Sequence, residues 1–235
     1  MRKIGKSLVK PKKKSLAPIK KRKLTKNQIF QKRYVKFCSL LYKKKLVFIG
    51  ENIIGKKVGK GPVIILGTHD LKPFRIEPLL IQSMTNNYVH WLTSVAIKIF
   101  KKRFVLAKSK LTKELMSKFE NIDIDRLNMS VEDLKNLIKK STDLVVSGKT
   151  MGFFPTAYSE YTTGFGHSGA IYIIHNAELE LKKKIPIILV SIKKKSGKYH
   201  IMQEEITISD TIDRKKRQEL TKKCISKLEG MYNKI

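Results

Sequence analysis

The sequence has no carboxylate before Glu51, few cysteines, and no apolar run of the roughly 18 residues that a transmembrane helix needs. The two cysteines, Cys38 and Cys224, exclude a disulfide framework and lack metal-ligand spacing, so a reducing compartment is expected. The missing apolar run argues against a membrane-spanning segment. With 41% hydrophobic residues, the 235-residue chain still has enough apolar side chains to bury a core.

Acidic residues are scarce throughout, with 19 Asp and Glu against 51 Lys and Arg, which gives a formal net charge of +32. Most of these cations are lysines, and lysine acts as a point charge that suits any anionic surface, including lipid headgroups. Proteins that read nucleic acids rely more on the arginine fork. The charge therefore predicts an anionic partner, and the lysine excess makes nucleic acid the less favoured one.

The first fifth of the chain falls into two segments. Residues 1–26 are lysine-rich, contain two prolines and show little apolar periodicity, which predicts a flexible basic arm. Residues 27–46 place apolar side chains at helical spacing, with basic residues elsewhere on the wheel. This pattern predicts a basic amphipathic helix that docks at an anionic membrane interface, and the alternative is an ordinary helix packed on the core. The apolar positions are Phe30, Tyr34, Phe37, Cys38 and Leu41.

The rest of the chain, residues 47–235, alternates between short apolar runs and helical patterns. The clearest strand signals are PVIILG at 62–67, TMGFFP at 150–155 and IPIILVSIK at 185–193. Buried strands that alternate with helices are typical of an α/β fold. We therefore expect a single α/β domain with a mostly parallel central sheet flanked by helices.

Two glycine motifs resemble nucleotide-binding loops but lack the necessary context. SGKT at 147–150 lacks the first glycine of a phosphate-binding loop, because position 143 is Asp. GFGHSG at 164–169 has dinucleotide-binding spacing, but a polar stretch separates it from the preceding strand, and the next strand ends in lysines. Neither motif is expected to bind a nucleotide.

His69 is the most informative histidine, because it directly follows a predicted buried strand, where α/β sheets place their sites. Asp70 and Glu77 follow closely in the sequence. A histidine held by a carboxylate is the minimal apparatus for general-base catalysis on a hydroxyl. No two histidines have H-E-x-x-H spacing, so no zinc site is predicted. Spacing alone leaves a structural histidine as the alternative.

Four blocks follow one another along the chain: PVIILGTHDLKPFRIEPLLI at 62–81, ENIDIDR at 120–126, GFFPTAYSE at 152–160 and IPIILVSI at 185–192. In this order and strand–helix context they resemble the glycerolipid acyltransferase family, which contains the 1-acylglycerol-3-phosphate acyltransferases. The resemblance implies an acyltransferase domain over residues 47–235, preceded by a membrane-docking helix.

The motifs depart from the family pattern at several positions. In the first block the family has Asn-His, four residues and then Asp-Pro. Here Thr68 stands at the Asn, Phe74 at the Asp, and Glu77-Pro78 is the nearest equivalent of Asp-Pro. In the third block the family reads Phe-Pro-Glu-Gly, whereas here Thr156 replaces the Glu and Ala157 replaces the Gly.

The resemblance implies roles for particular residues. His69 would be the general base, and Glu77 the carboxylate that orients it, with Asp70 as the alternative carboxylate. Arg126 would bind the phosphate of the acceptor, since a guanidinium pairs well with phosphate oxygens.

The implied activity is transfer of a fatty acyl group from acyl-CoA or acyl carrier protein to the hydroxyl of a lysophospholipid, such as 1-acylglycerol 3-phosphate, in phospholipid synthesis. Thr156 and Ser159 would help to bind the substrate. No metal and no further cofactor is implied, and a peripheral position on the cytoplasmic face of the cell membrane is expected. The alternatives are the same fold with an altered acceptor or lost activity, and a basic nucleic-acid-binding protein.

Overall fold

A mostly parallel sheet with helices on both faces forms the centre of the computed structural model, which confirms the expected single α/β domain. Six strands make up the body of the sheet, and a two-residue seventh strand extends one side. The structure describes residues 24–68, 76–93, 96–99, 102–105, 122–123, 130–155, 169–208 and 213–235.

The strands are short, as is usual for a small α/β sheet. In chain order they are β1 (Leu46–Ile49), β2 (Val63–Gly67), β3 (Val89–Thr93), β4 (Ala96–Ile99), β5 (Lys102–Val105), β6 (Ile122–Asp123), β7 (Thr150–Phe153), β8 (Ile187–Lys195) and β9 (Lys198–Ile206).

Six α-helices are described, and a short 3₁₀ turn at Lys43–Lys45 follows the first of them. They are α1 (Lys26–Tyr42), α2 (Ile53–Lys57), α3 (Glu77–Ser83), α4 (Val131–Val146), α5 (Gly169–Leu181) and α6 (Arg214–Lys234). Among the described residues, no helix has the length and hydropathy needed to cross a bilayer.

The strand order in the sheet is β1-β9-β8-β2-β7-β3-β6, and β4 pairs with β5 in a separate hairpin. Strands β8, β2, β7, β3 and β6 are mutually parallel, whereas β9 runs antiparallel to β8 and β1 runs parallel to β9. The five parallel strands therefore end on the same side, after Gly67 in β2 and Phe153 in β7. We call this side the carboxyl end of the sheet and the opposite side the amino end.

Alternating side chains of the central strands divide the core into two layers. Ile64 and Leu66 pack with the apolar faces of α4, α5 and α6. Val63 and Ile65 point to the other face, where they pack with α2 and α3. Because β2 is buried on both faces, its sequence reads as a continuous apolar run rather than an alternating one.

Helix α1 lies on the second layer and divides its apolar residues between two sides. It packs against α3, and its buried positions are Gln31, Val35 and Cys38, spaced four and three residues apart. Phe37 and Leu41, which the sequence pattern assigned to the same face as Cys38, are exposed. The helix also ends earlier than residue 46, because Leu46 already belongs to β1. Residues 1–23 of the expected basic arm lie outside the described residues.

Candidate active site

The four sequence blocks fall on neighbouring parallel strands. The block at 62–81 begins on β2, and its partners on either side are β7, which begins the block at 152–160, and β8, which carries the block at 185–192. The block at 120–126 contains β6, which is joined to β7 through β3. The strands of these blocks, β2, β6, β7 and β8, therefore all end at the carboxyl end of the sheet, where α/β folds place their ligands.

Thr68 fixes the backbone at the point where the chain leaves β2. Its N–H donates to the carbonyl of Val190 at 3.0 Å, and its Oγ1 accepts a hydrogen bond from the N–H of Ile192 at 3.2 Å. Thr68 is buried, and its hydroxyl takes the place of a ladder carbonyl at a position shielded from solvent. The residue at the family's Asn position therefore has a structural use here, and it anchors the chain immediately before His69.

An apolar wall lies on one face of the sheet near its carboxyl end. The rings of Trp91 and Phe154 are stacked, with centroids 5.2 Å apart and an interplanar angle of 9°. Both rings cover glycines: a Cβ on Gly67 would lie 2.9 Å from Cε1 of Phe154, and a Cβ on Gly152 would lie 2.2 Å from Cζ3 of Trp91. The two glycines therefore let the aromatic pair lie flat against the strands.

Glu77 is fully buried at the first position of α3. Its location follows from Ile81, which is one helical turn further on and on the same face. The Cδ1 of Ile81 lies 3.4 Å from the position of a Cβ on Gly67, the last residue of β2. Glu77 therefore lies about one turn, or roughly 6 Å, from a residue that contacts the end of β2.

The position of α3 is fixed at its other end by Gln82, which is also fully buried. Its Nε2 donates to the carbonyl of Asn87 at 2.8 Å, and its Oε1 accepts from the N–H of Val89 at 2.9 Å. These two bonds tie the end of α3 to the start of β3. The last turn of the helix that carries Glu77 is consequently held against β2 and β3.

Most of the residues expected at the site lie outside the described residues, namely His69, Asp70, Arg126, Thr156 and Ser159. Of the expected set, the structure describes Glu77, together with the strands that precede the others.

Sequence reasoning did not identify the aromatic wall. A signal for it was available, because a glycine in the middle of a strand, as in Met151-Gly152-Phe153, indicates close approach of another group.

Neither nucleotide binding nor metal binding has support in the described residues. SGKT at 147–150 connects the end of α4 to the start of β7, whereas a phosphate-binding loop leaves a strand and enters a helix. Of GFGHSG, only Gly169 is described, and it begins α5. Within the described ranges no three His, Cys, Asp or Glu side chains are grouped as metal ligands would be.

Comparison with known proteins gives little further information. No protein-family model matches the chain, and no curated protein matches it. Among solved structures, the chain is similar to the X-ray structure of the Yersinia pseudotuberculosis ATPase DotB, with 10% sequence identity and a TM-score of 0.31. That similarity covers 79% of this chain and 54% of the ATPase chain, so this chain spans about half the length of that protein. A TM-score at this level carries no argument about fold or function.

Proposed function

We propose that the protein is a lysophospholipid acyltransferase, which moves a fatty acyl group from an acyl thioester to the hydroxyl of an acceptor such as 1-acylglycerol 3-phosphate. The observation that carries the proposal is that the four sequence blocks lie on strands of one parallel sheet, three of them on the adjacent strands β8, β2 and β7 and the fourth on β6, which β3 separates from β7. These blocks are far apart in the chain, and the fold gathers their strands into one sheet in which they end on the same side. Loops that follow parallel strands at one end of a sheet can bind two substrates next to each other, as transfer between them requires.

The chemistry assigned to His69 is general-base catalysis. Its imidazole takes the proton of the acceptor hydroxyl as the oxygen forms a bond to the thioester carbonyl carbon. The carbon–sulfur bond then breaks, and the leaving thiolate receives the proton from the imidazolium. Glu77 is the carboxylate that holds the correct tautomer and stabilises the imidazolium, and its buried position beyond the end of β2 supports this role.

Substrate binding is assigned to residues that follow strands β6 and β7 in the sequence. Arg126, three residues after β6, binds the acceptor phosphate, and Thr156 and Ser159, which follow β7, supply hydrogen bonds. The half-buried ring of Phe154, which stacks on the buried ring of Trp91, offers an apolar surface for the acyl chain. Acyl-CoA and acyl carrier protein are both anionic donors, which the excess of lysine would attract.

The proposal places the protein peripherally on the cytoplasmic face of the cell membrane, because its acceptor is a lipid. Within the described part of the chain no helix can span a bilayer, so contact with the membrane is assigned to the surface and to the segment at 27–46.

The test is thiol release by the purified protein with 1-acylglycerol 3-phosphate and other lysophospholipids, using acyl-CoA and acyl carrier protein as donors. We expect His69→Ala to lower turnover by about 10²–10⁴-fold, the usual contribution of a positioned base. His175→Ala is the matched control, because His175 is on α5 in the opposite layer, and it should leave turnover unchanged.

Failure of the wild-type protein to release thiol with any of these acceptors and either donor would exclude the proposed reaction. Vesicle binding without turnover would then favour a related protein that has lost this activity, in keeping with the replaced motif positions Thr156 and Ala157.

A further inference from the structure

Two lysine runs that are far apart in the chain come together in the fold. Lys43–Lys45 lead directly into β1, whose first residue, Leu46, pairs with Tyr199 in β9. The second run is the β8–β9 hairpin, in which Lys195 pairs with Lys198 across the turn. Because β1 and β9 are parallel and the first residue of β1 pairs with the second residue of β9, the two lysine runs lie side by side.

These lysines project from the carboxyl end of the sheet, where the candidate active site lies. The N–H of Ile192 in β8 donates to Thr68 just past the end of β2. Strand β8 continues for three further residues, or about 10 Å, before it turns. The hairpin is supported from behind by α6: the Lys193 ammonium lies 4.7 Å from the ring centre of Tyr232, and Lys195 donates to the carbonyl oxygen of Ile235. These contacts with α6 hold the hairpin so that it extends past the carboxyl end of the sheet.

Exposed apolar side chains lie next to the same lysines. Two aromatic contacts give the direction of helix α1. Tyr34 contacts Tyr88 at the amino end of the sheet, and Tyr42, at the end of the helix, contacts Tyr199 at the carboxyl end, with ring centroids 6.4 Å apart. Its last turns carry three large apolar side chains that are 56%, 74% and 46% exposed, namely Phe37, Leu40 and Leu41. Three of the eight large apolar side chains that are exposed among the described residues therefore lie just before the first lysine run.

We propose that Phe37, Leu40 and Leu41, together with Lys43–Lys45 and the exposed hairpin residues Lys194 and Lys198, form a docking surface for an anionic lipid bilayer. The apolar side chains enter the interface between headgroups and acyl chains, and the lysines meet the anionic headgroups. Charge complementarity calls for an anionic occupant, since residues 24–50 and 181–203 contain no carboxylate, and the exposed apolar side chains beside the lysines favour a lipid bilayer over other anionic partners. The inference rests on the proposed function only in taking a membrane lipid as the acceptor.

The orientation that follows deepens the proposed function. A bilayer on this surface faces the carboxyl end of the sheet, so a lysophospholipid in the membrane lies beside the strand ends that carry the four blocks. The hairpin and the end of α1 flank the site on the side of β9 and β1. The acceptor therefore reaches the site without leaving the membrane surface.

Binding to vesicles tests the surface without any need for turnover. Wild-type protein should partition onto phosphatidylcholine vesicles that contain phosphatidylglycerol far more strongly than onto pure phosphatidylcholine vesicles. Lys44→Glu with Lys198→Glu should weaken this partition by roughly 30-fold or more, given the usual effect of each lysine near an anionic surface. The matched control is Lys60→Glu with Lys183→Glu, since these exposed lysines precede β2 and β8 at the amino end of the sheet.

Both double variants change the net charge equally, so a loss of similar size in both would overturn the docking surface in favour of a general charge effect. A second pair tests the apolar part: Leu40→Gln should weaken partition about fivefold or more, whereas Leu179→Gln should have no effect, because Leu179 is a similarly exposed leucine on α5, away from this surface. Equal effects of the two leucine variants would also contradict the surface.

Turnover measured in detergent micelles separates the two proposals. Lipid-dependent partition with the expected variant pattern and no thiol release would support the docking surface and exclude the acyltransferase activity. Normal thiol release with wild-type partition in Lys44→Glu/Lys198→Glu would overturn the surface alone. The docking surface would also be overturned if Lys44→Glu/Lys198→Glu loses affinity for acyl carrier protein or duplex RNA while its vesicle partition is unchanged.

Discussion

The indole ring of Trp91 fills the space over Gly152, its cross-strand partner, so that a Cβ at position 152 would lie 2.2 Å from Cζ3 of the ring. We expect Gly152→Ala to lower the free energy of unfolding by about 1–3 kcal/mol, because the ring and the strand must separate to admit a methyl group. Urea unfolding followed by tryptophan fluorescence measures this directly, since Trp91 is the sole tryptophan of the sequence.

Gly230→Ala is the control for this substitution. Gly230 lies within α6, and a Cβ there would have no heavy atom within 4 Å. Alanine should therefore leave stability unchanged or raise it by up to about 1 kcal/mol through its higher helix propensity. Equal stability of Gly152→Ala and the wild type would show that the ring does not rest on the strand.

The central strands could be predicted from the sequence because their burial on both faces leaves a simple mark. Strands β2 and β8 read as continuous β-branched runs, and the structure gives them five and nine residues. Strand β1 left no such mark, since it lies at the side of the sheet and all four of its residues are half-buried. Its neighbour β9 reaches it only through a long-range parallel pairing that no local pattern encodes.

The strands that precede the candidate site residues could be predicted from the sequence, whereas the surroundings of those strand ends could not. Helical periodicity correctly found α1, but a wheel does not specify which arc faces the core, and packing on α3 placed Cys38 inside and Phe37 outside. Similarly, Lys43–Lys45 and the hairpin at 193–198 are ordinary basic runs in the sequence. Only the register of β1 with β9 makes them neighbours.

The second prediction concerns the pH dependence of stability, and it follows from the buried thiol of Cys224. Burial raises the pKa of Cys224 to about 11, while Lys227 and Lys223 oppose the shift. In the unfolded chain the thiol has a pKa near 8.5. Between about pH 8.5 and 11 the unfolded state therefore binds fewer protons than the folded state, and stability falls as pH rises.

The measurement is the free energy of unfolding of wild type and Cys224→Ala from pH 7.5 to 10.5. Lysines and tyrosines titrate in both proteins, so the difference between the two curves isolates the thiol. We expect that difference to shrink steadily above about pH 8.5, with Cys224→Ala less stable at neutral pH because of the lost side-chain volume. A difference that stays constant with pH would mean that the thiol ionises as easily in the fold as in the unfolded chain.

The third prediction concerns the carboxylate assigned to the proposed catalytic histidine. Glu77→Gln preserves the shape of a fully buried side chain, so the fold should persist while turnover falls by about 10²-fold or more at little change in KM. Loss of the negative charge should also lower the pKa of His69, so the acid limb of the pH–rate profile should move to lower pH. A purely structural role for Glu77 would leave that limb in place.

Asp70→Asn is the discriminating partner of this experiment, because Asp70 is the other carboxylate close to His69 in the sequence. Glu77 has the stronger claim, since Ile81 on the same face of α3 contacts the end of β2 and the helix is tied to β3 by Gln82. Asp70→Asn should therefore leave both the rate and the acid limb near the wild-type values. If Asp70→Asn moves the limb and Glu77→Gln does not, the orienting carboxylate is Asp70, and the burial of Glu77 serves only the packing of α3.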